Sequence, residues 1–282
     1  MKKDYYELAI PIDKLDEEKL YAILFQNGIK TTLEEYGLIK VYFEEKKKAE
    51  QLRKLLIEEM EFIQSSLIIS KLPQHDWNKE WKDTIEPVII KNKIIIYPSW
   101  KKDKLKNTKD KIHIEIDPKM SFGTGHNETT QMIIGLMCEH ISDKDKYLLD
   151  YGCGTAVLSI AGIKLGIEKA VAIDIDADSI RDAKEYIKVN KVNKNIRIYK
   201  SDIKSIDEKG FDVIVCNIDR TVITKNIKKI YSKLKKDGKL FITGILLEEL
   251  NEILQLLSVN KFKLIETRSK AEWLSFYAVR NN

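Results

Sequence analysis

The nine residues Tyr147–Thr155, YLLDYGCGT, decide the fold that this sequence predicts. An apolar run closed by Asp150 and Tyr151 indicates a buried strand, and the four residues from Gly152 onward indicate a tight turn. Residues 156–165 then carry apolar side chains at helical spacing. Glycine lets the backbone approach a ligand closely, and the helix start offers unpaired N–H groups. The stretch therefore predicts a site for a nucleotide-like ligand.

Strands and helices alternate along the chain after this turn. The predicted strands cover residues 170–174, 196–199, 211–215 and 239–242, and the predicted helices cover residues 177–189, 222–234 and 246–257. Such alternation predicts a parallel sheet with helices on both faces. Two final strands, residues 262–266 and 273–279, follow each other without a helix. They predict an antiparallel hairpin at one edge, which an ordinary dinucleotide-binding domain lacks.

Length and composition set the protein class. A chain of 282 residues forms one large domain or two ordinary ones with a sizeable core. Its 33% charged and 43% hydrophobic residues are typical of a soluble globular protein. The net charge of +5 is spread along the chain, whereas a dedicated nucleic-acid binder concentrates its charge. We therefore expect no direct nucleic-acid substrate.

The cysteines and the apolar runs indicate the compartment. The three cysteines are odd in number and form no C-x-x-C pair, so they predict neither a disulfide framework nor a zinc site. The first residues lack the apolar core of a signal peptide, and no apolar run approaches the roughly 18 residues of a membrane span. We expect a cytoplasmic protein with no membrane contact.

The first 72 residues predict a small separate domain. The predicted strands cover residues 5–12, 31–33, 38–43 and 67–72, and the predicted helices cover residues 16–25 and 46–63. The order β-α-β-β-α-β is typical of the ferredoxin-like arrangement. This segment contains no histidine and no cysteine. It is either a packing or dimerisation module or a substrate-recognition domain, and we favour substrate recognition.

Residues 73–110 form a linker followed by strands. Trp77 and Trp81 are four residues apart and share one face if the segment is helical, which favours packing at the joint between domains over a base-stacking platform. Two strand-like runs follow at residues 88–90 and 93–97, and the charged residues 101–111 predict an exposed loop.

An unusual loop precedes the central turn. After a strand at residues 111–116, two glycines flanked by threonines occupy residues 117–130, a composition that cannot build a core. Thr129 and Thr130 lie at the start of a helix predicted over residues 132–138, where hydroxyls cap free N–H groups. We expect this loop to contact the ligand.

Acidic residues near the turn indicate which nucleotide binds. Val157 stands where the dinucleotide fingerprint has its third glycine. Asp174 lies about 20 residues beyond the turn, where an acid accepts both hydroxyls of a ribose. A nicotinamide cofactor and S-adenosylmethionine both fit that acid. Asp150 favours S-adenosylmethionine, which has an amino group and no pyrophosphate that a carboxylate would repel.

Polar residues follow two further strands. Asp202 is placed to meet the adenine amino group or is a surface acid. Asn217 follows the strand at residues 211–215, where its amide can accept a hydrogen bond from the donor's amine or from an amine substrate. Methyl transfer to an amine requires an aligned, unprotonated nucleophile. His126 is nearest to the site by motif, and we expect the other histidines, His75, His113 and His140, at the surface or in packing.

Four motifs together resemble one family. They are Asp117 to Thr130 with its FGTG, the turn after Asp150, the acidic strand end at residues 173–176, and Cys216-Asn217-Ile218. They resemble the ribosomal protein L11 methyltransferases, the PrmA family. Trp77 to Trp81, Pro98-Ser99-Trp100 and residues 243–246 are similar to other family signatures. The resemblance covers the chain from Trp77 to its end, whereas the first 70 residues match in pattern only.

The resemblance implies a fold and an activity. The fold is a Rossmann-like class I methyltransferase domain with a seven-stranded, mostly parallel sheet, preceded by the ferredoxin-like domain. The activity is methylation of lysine side chains or the N-terminal amine of a ribosomal stalk protein, with S-adenosylmethionine as the donor. The implied cofactor contacts are Thr130, Gly152, Asp174 and Asn217, with Phe122, Gly154 and Asp202 as further candidates. Asn217 is the candidate for positioning the donor and the acceptor, and no metal is implied.

The chain departs from the family pattern at three places. His126-Asn127-Glu128 replaces the usual Thr-His-Pro, Ala156 replaces the third glycine, and Asp219-Arg220 places charges beside Asn217. Two alternatives stay open: a methyltransferase of this fold that acts on another protein, a small amine or a nucleobase, and a non-catalytic S-adenosylmethionine-binding module. We expect a monomer with a recognition domain at residues 1–72, a linker with strands at 73–110 and a catalytic domain at 111–282.

Overall fold

The chain divides into two compact units. The computed structural model describes residues 5–12, 16–29, 31–35, 37–60, 62, 66–72, 82, 84–118 and 123–281. The units are Met1–Asp83 and Thr84–Asn282. No helix within these described ranges is long and apolar enough to cross a membrane.

The described residues of the first unit form a four-stranded antiparallel sheet with two helices. Its elements are β1 (Tyr5–Pro11), α1 (Glu17–Gln26), β2 (Leu33–Glu35), β3 (Leu38–Phe43), α2 (Lys46–Met60) and β4 (Ile68–Leu72). The strand order is β2-β3-β1-β4. Leu8 of β1, Leu20 of α1 and Leu56 of α2 are fully buried in one core. The predicted ferredoxin-like arrangement is confirmed.

The second unit begins with a three-stranded sheet. β5 (Val88–Ile90) pairs antiparallel with β6 (Ile94–Tyr97), which pairs parallel with β7 (Ile112–Glu115). Apolar residues of these strands, among them Ile96 and Ile114, share a core with Ile133 and Leu148 further along the chain. This small sheet is therefore part of the hydrophobic core of the second unit.

The rest of the second unit is a seven-stranded sheet with helices on both faces. Its helices are α3 (Glu128–His140), α4 (Val157–Lys164), α5 (Ala177–Val189), α6 (Arg220–Lys233) and α7 (Leu250–Val259). Its strands are β8 (Tyr147–Tyr151), β9 (Lys169–Asp174), β10 (Ile196–Lys200), β11 (Phe211–Asn217), β12 (Leu234–Leu246), β13 (Phe262–Lys270) and β14 (Trp273–Arg280). The strand order is β10-β9-β8-β11-β12-β14-β13.

Consecutive residues of the central strands pack into hydrophobic cores on opposite faces of the sheet. Both faces are buried, which explains why these strands are continuously apolar. Leu148 of β8 packs with α3, α4 and α5, whereas Leu149 packs with α6 and α7. The strands from β10 to β12 are parallel, and β14 pairs antiparallel with both β12 and β13. The predicted sheet and its closing hairpin are confirmed.

Two local predictions were confirmed only in part. Most residues of the segment 101–111 are exposed, as expected. Lys101, which we expected in an exposed loop, lies in a 3-10 turn at Ser99–Lys104 and is only 6% exposed, with Nζ 2.6 Å from Glu86 Oε1. Asp237-Gly238, expected to separate a helix from a four-residue strand, lies inside β12. Asp237 accommodates its position with a φ of 59°. A carboxylate 15 residues away holds Lys101, whereas Asp237-Gly238 lies where the pairing with β11 passes from Leu234 to Lys239, so the predicted interruption is present as an irregularity of β12.

Candidate active site

The strand order reverses between β8 and β11. From β8 the chain runs through β9 to the β10 edge, then returns to β11 and continues to β12. In open α/β sheets, ligands bind at the carboxyl ends of the strands that flank such a switch point. Here those ends are Tyr151 and Asn217, and Tyr151 pairs with Cys216 in the parallel register.

The glycine turn after β8 is held by β9. Gly152 N and Cys153 N donate to Ile173 O at 2.9 and 3.0 Å. Gly154 N donates to Asp174 Oδ2 at 2.9 Å. Gly152 has a φ of 76°, and a Cβ added there would lie 2.2 Å from Cγ2 of Ile218. Only glycine fits this turn, because the loop after β11 packs directly against it.

Asp174 supports the turn and keeps acceptor capacity. Its Oδ2 accepts from Gly154 N, and its Oδ1 accepts from Asp176 N at 3.0 Å. A carboxylate offers about four lone-pair sites, so two backbone bonds leave room for ligand hydroxyls. The next residue, Ile175, is 73% exposed. An acceptor and an apolar surface thus lie side by side at the end of β9.

Asn217 and Thr130 meet, although 87 residues separate them in the sequence. Asn217 Nδ2 donates to Thr130 Oγ1 at 3.3 Å, and Thr130 is fully buried at the start of α3. The neighbouring Thr129 is 4% exposed, and its Oγ1 is buried without a hydrogen-bond partner among the described residues. The capping role expected for these hydroxyls is not observed. α3 already begins at Glu128, so both threonines lie inside its first turn, and the N-cap residue Asn127 makes no side-chain capping bond.

The loop before α3 is anchored at two points. Thr155, which is fully buried after the glycine turn, donates from Oγ1 to Gly123 O at 2.6 Å. Ser99 donates from N and Oγ to the Asp117 carboxylate at 2.6 and 2.9 Å. The loop therefore joins the glycine turn to the helix that carries Thr130. Phe122 and residues 119–121 lie outside the described residues, as do Trp77 and Trp81.

Asp150 is a buried carboxyl beneath the turn. Its Oδ2 accepts from Ser159 N and Ser159 Oγ at 2.9 and 2.8 Å, which ties the end of β8 to α4. Its Oδ1 is buried and has no partner within the described ranges. Burial raises the pKa of Asp150 to about 7, against the lowering effect of the two bonds from Ser159.

Asp202 is held by a polar network at the end of β10. Its Oδ1 accepts from Tyr151 Oη at 3.0 Å and from Ile203 N at 2.6 Å. Asn226 Nδ2 donates to the same Tyr151 hydroxyl at 3.0 Å. Burial, followed by the bond to Asp202, raises the pKa of Tyr151. Asp202 thus has two protein donors on one oxygen and keeps its Oδ2 for other contacts.

A cavity of about 390 Å³ opens beside Asn217. Its walls come from the loop after β11, the start of α3, the end of β12 and the start of β14. The lining includes three carboxylates and an indole: Glu128, Asp219, Glu249 and Trp273. This cavity adjoins the Asn217–Thr130 contact, so an acceptor inside it would lie next to that pair.

The charged pair after Asn217 is engaged by neighbours. Asp219 caps α6, with Oδ1 accepting from Thr221 N at 2.7 Å, and this bonding lowers the pKa of Asp219. Arg220 Nε lies 2.6 Å from Glu249 Oε1, and its Nη1 pairs with Glu252. Sequence analysis did not identify Glu249 and Trp273 as site residues. Glu249 follows β12 and Trp273 begins β14, and only the pairing of these strands in the folded sheet brings the two residues to the cavity.

The histidines are occupied elsewhere. Nε2 of His126 lies 3.0 Å from Glu86 O, that of His113 lies 2.8 Å from Thr108 O, and that of His140 lies 2.6 Å from Glu266 Oε2. None of these three lines the cavity, and His75 lies outside the described residues.

Comparison with known proteins shows which family this chain resembles. The family described as ribosomal protein L11 methyltransferase (PrmA) matches residues 5–281. A ribosomal protein L11 methyltransferase of Acetivibrio thermocellus is 32% identical over 94% of this chain and 82% of its own length. One from Bacteroides thetaiotaomicron is 30% identical over 95% of this chain and 97% of its own. A crystal structure of the ribosomal protein L11 methylase of Lactobacillus delbrueckii subsp. bulgaricus aligns with a TM-score of 0.65 and 29% identity, covering 70% of this chain and all of that one.

Proposed function

The chain belongs to the ribosomal protein L11 methyltransferase family, and from this membership we propose that it methylates amino groups of ribosomal protein L11. The observation that carries the proposal is structural. At the switch point of the sheet, the Asp174-held glycine turn lies against the loop that carries the Asn217–Thr130 pair. A donor site and an acceptor cavity are therefore contiguous.

The residues at the turn fit S-adenosylmethionine. Asp174 retains acceptor capacity for ribose hydroxyls, and the exposed Ile175 beside it offers an apolar surface for a purine. The glycine turn lets the ligand approach the backbone. We propose that Thr130, Gly152, Gly154, Asp174 and Asn217 hold the cofactor, with Asp202 near the adenine and Phe122 as a further contact.

The chain's own residues position the reactants. S-adenosylmethionine, when bound, supplies a methyl group on a sulfonium sulfur, which keeps the bonding electron pair as the acceptor nitrogen forms the new bond. Asn217 is fixed by Thr130 at the rim of the cavity, where its amide oxygen can accept a hydrogen bond from the acceptor nitrogen. Such fixed positioning is the main contribution that a protein makes to an in-line displacement. The acceptor amine has to lose a proton before it attacks, and water or a carboxylate of the lining can take it, since no described histidine lines the cavity.

We further propose roles for the parts of the chain. The ferredoxin-like domain, residues 1–72, recognises the protein substrate, residues 73–110 connect it to catalysis, and residues 111–282 carry the reaction. The substrate is a ribosomal protein, which favours action in the cytoplasm, and we propose that the enzyme acts as a monomer.

Transfer of labelled methyl groups tests the activity. Purified enzyme is incubated with labelled S-adenosylmethionine and ribosomal protein L11, and the product is mapped by mass spectrometry. We expect label on lysine side chains or on the N-terminal amine. Donor binding without label on L11, but with label on another amine, would support a different substrate, and donor binding without any transfer would support a binding module.

Substitution of Asp174 tests the donor site. Asp174→Ala removes a charged acceptor and the support of Gly154 N, and hydrogen bonds to charged groups contribute about 1.5–3 kcal/mol. We expect donor affinity, measured by calorimetry, to fall by about 10- to 100-fold. Asp178→Ala is the control, since Asp178 is an exposed carboxylate on α5 that pairs with Arg181. Equal affinities for both variants would remove Asp174 from the ribose role.

A further inference from the structure

The cavity beside Asn217 has an acidic lining. Glu128, Asp219 and Glu249 contribute carboxylates, and no lysine, arginine or histidine among the described residues lines it. Trp273 and Leu246 add apolar walls. A lysine side chain has the matching form, because a four-carbon apolar stem ends in an ammonium with three hydrogen-bond donors.

Two of the three carboxylates are available to a cation. Glu249 is committed, since Oε1 pairs with Arg220 and Oε2 accepts from Leu246 N at 2.9 Å. Asp219 uses Oδ1 for the cap of α6 and stays ionised at neutral pH, because hydrogen bonding lowers its pKa. Glu128 is half-buried, and no hydrogen bond or ion pair ties it to the other described residues.

The nearest cation is kept out of the cavity. Arg220 follows Asp219 directly but does not line the cavity, and its guanidinium pairs with Glu249 and Glu252. The negative charge of Glu128 and Asp219 is therefore not neutralised from within the lining.

A buried hydroxyl gives an independent sign of a ligand. Thr129 lines the cavity next to Glu128 and is 96% shielded from solvent, since its relative exposure is 4%. Its Oγ1 has no hydrogen-bond partner in the described part of the chain. Buried hydroxyls are normally satisfied, and an unsatisfied one beside a cavity fits a partner that arrives with a ligand.

We propose that Glu128 and Asp219 make this cavity selective for a cationic amine. The acceptor enters as an ammonium, its charge faces the two carboxylates, and its stem lies against Trp273. Glu128 is the specificity-determining residue, because its carboxylate has no other partner among the described residues. The inference rests on the proposed function, in that the cavity holds the methyl acceptor. It adds that charge, and not shape alone, selects lysine over a neutral side chain.

The acceptor subsite can be tested without methyl transfer. n-Butylammonium and n-butanol, which share a stem and differ in charge, are titrated into the protein and followed by NMR. Charged hydrogen bonds are about twice as strong as neutral ones, so we expect the wild type to prefer the ammonium by about tenfold or more. Glu128→Gln and Asp219→Asn should each reduce this preference, and Asn preserves the cap of α6. Equal binding of both probes by the wild type would overturn the proposal.

A matched variant distinguishes the effect of the cavity carboxylates on binding from the effect of general surface charge. Glu248→Gln removes an exposed carboxylate from the neighbouring 3-10 turn, Leu247–Glu249, and Glu248 does not line the cavity. We expect Glu248→Gln to bind both probes as the wild type does. The same loss of preference in Glu248→Gln and Glu128→Gln would assign the effect to long-range charge and overturn the role of Glu128.

Kinetics then separate this proposal from the proposed function. With L11 as acceptor, Glu128→Gln should raise KM about tenfold while kcat and donor affinity change much less, and Glu128→Asp should restore part of the loss. An unchanged KM would exclude Glu128 from acceptor binding. No methylation of L11 by the wild type would refute the proposed substrate, and the NMR comparison of the two probes would still decide whether the cavity selects cations.

Discussion

Gly152 lies where the turn after β8 packs against Ile218 of the loop after β11, and a Cβ at this position would obstruct that contact. Gly152→Ala adds left-handed strain of about 1–2 kcal/mol and forces Cγ2 of Ile218 to move, at about 1–3 kcal/mol more. Gly210→Ala is matched in strain, since Gly210 has a φ of 77° and its nearest neighbour lies 4.0 Å away. We expect urea unfolding to show the larger loss for Gly152→Ala, together with weaker donor binding. Equal losses would mean that the contact with Ile218 is not restrictive.

Asp150 makes the stability of the protein depend on pH. The pKa of an unfolded aspartate is about 3.9, whereas burial raises that of folded Asp150 to about 7. Between these values the folded carboxyl holds a proton that the unfolded one has released, so the free energy of unfolding falls as pH rises through the window. Asn at this position does not titrate and can accept the same bonds from Ser159.

The stability difference between Asp150→Asn and the wild type measures this effect. From pH 4.5 to pH 8 it should shift in favour of the variant by about 3 kcal/mol, because about 2.5 pKa units of the window lie above pH 4.5, at about 1.36 kcal/mol each. Urea unfolding of both proteins at the two pH values gives the shift, and the titration of all other groups cancels in the comparison. A difference that does not change with pH would mean that Asp150 titrates near its ordinary value.

Sequence analysis identified residues whose positions follow from one continuous segment, and it missed residues whose contacts form between distant elements. Gly152 and Asp174 belong to one strand-turn-helix segment, so their spacing alone indicated that they lie together. Arg220 and Glu249 are 29 residues apart on different elements, and no sequence pattern predicts their ion pair. The unpaired hydroxyl of Thr129 is likewise visible only when all surrounding elements are placed.

At the scale of elements, Asn190 fastens β7 to the end of α5. Its Oδ1 accepts from Glu115 N at 2.9 Å, and its Nδ2 donates to Glu115 O at 2.8 Å, as a neighbouring strand would. Asn190→Ala leaves both backbone groups without a protein partner, and we expect a loss of about 1–3 kcal/mol in urea unfolding. Hydrogen exchange should show faster exchange of the Glu115 amide.

An exposed asparagine provides the control for Asn190. Asn195 makes one side-chain bond, to Glu168 O at 2.8 Å, and lies at the surface. Asn195→Ala should cost about 0.5–1 kcal/mol and leave the Glu115 amide protected. If Asn190→Ala exchanged at Glu115 as slowly as the wild type, the pairing with β6 alone would hold β7 in place.

Element boundaries were predictable where the local pattern and the tertiary contacts agree. Residues 177–189 were predicted as a helix and form α5, because Asp176 caps its start and one face is apolar. β12 is longer than predicted at both ends, but its pairing with β11 passes from Leu234 to Lys239 and its pairing with β14 begins at Lys239, so Asp237-Gly238 lies at an irregularity between paired residues. The turn-forming residues therefore mark the irregularity correctly, whereas the local pattern did not predict that the strand assignment extends to Leu234.

At the scale of the molecule, the two units have separate hydrophobic cores. Leu8, Leu20 and Leu56 belong to the core of the first unit, and all described members of that core come from the first unit. Each core is built from elements contiguous in the sequence, which explains why the alternation patterns predicted both folds. Separate cores allow separate unfolding transitions, and a ligand stabilises only the unit that binds it.

Calorimetry of the full chain tests whether the units unfold independently, and the same experiment shows which unit binds the donor. S-adenosylmethionine at about 100 times its Kd stabilises its binding unit by about 2.7 kcal/mol, which raises the Tm of a unit of this size by about 5–10 °C. We expect this shift only in the transition of Thr84–Asn282, which holds Asp174 and Asn217. Asp178→Ala should reproduce the shift and Asp174→Ala should reduce it. A shift of both transitions by the same amount would contradict independent units, because it would mean that the donor stabilises the chain as one cooperative body.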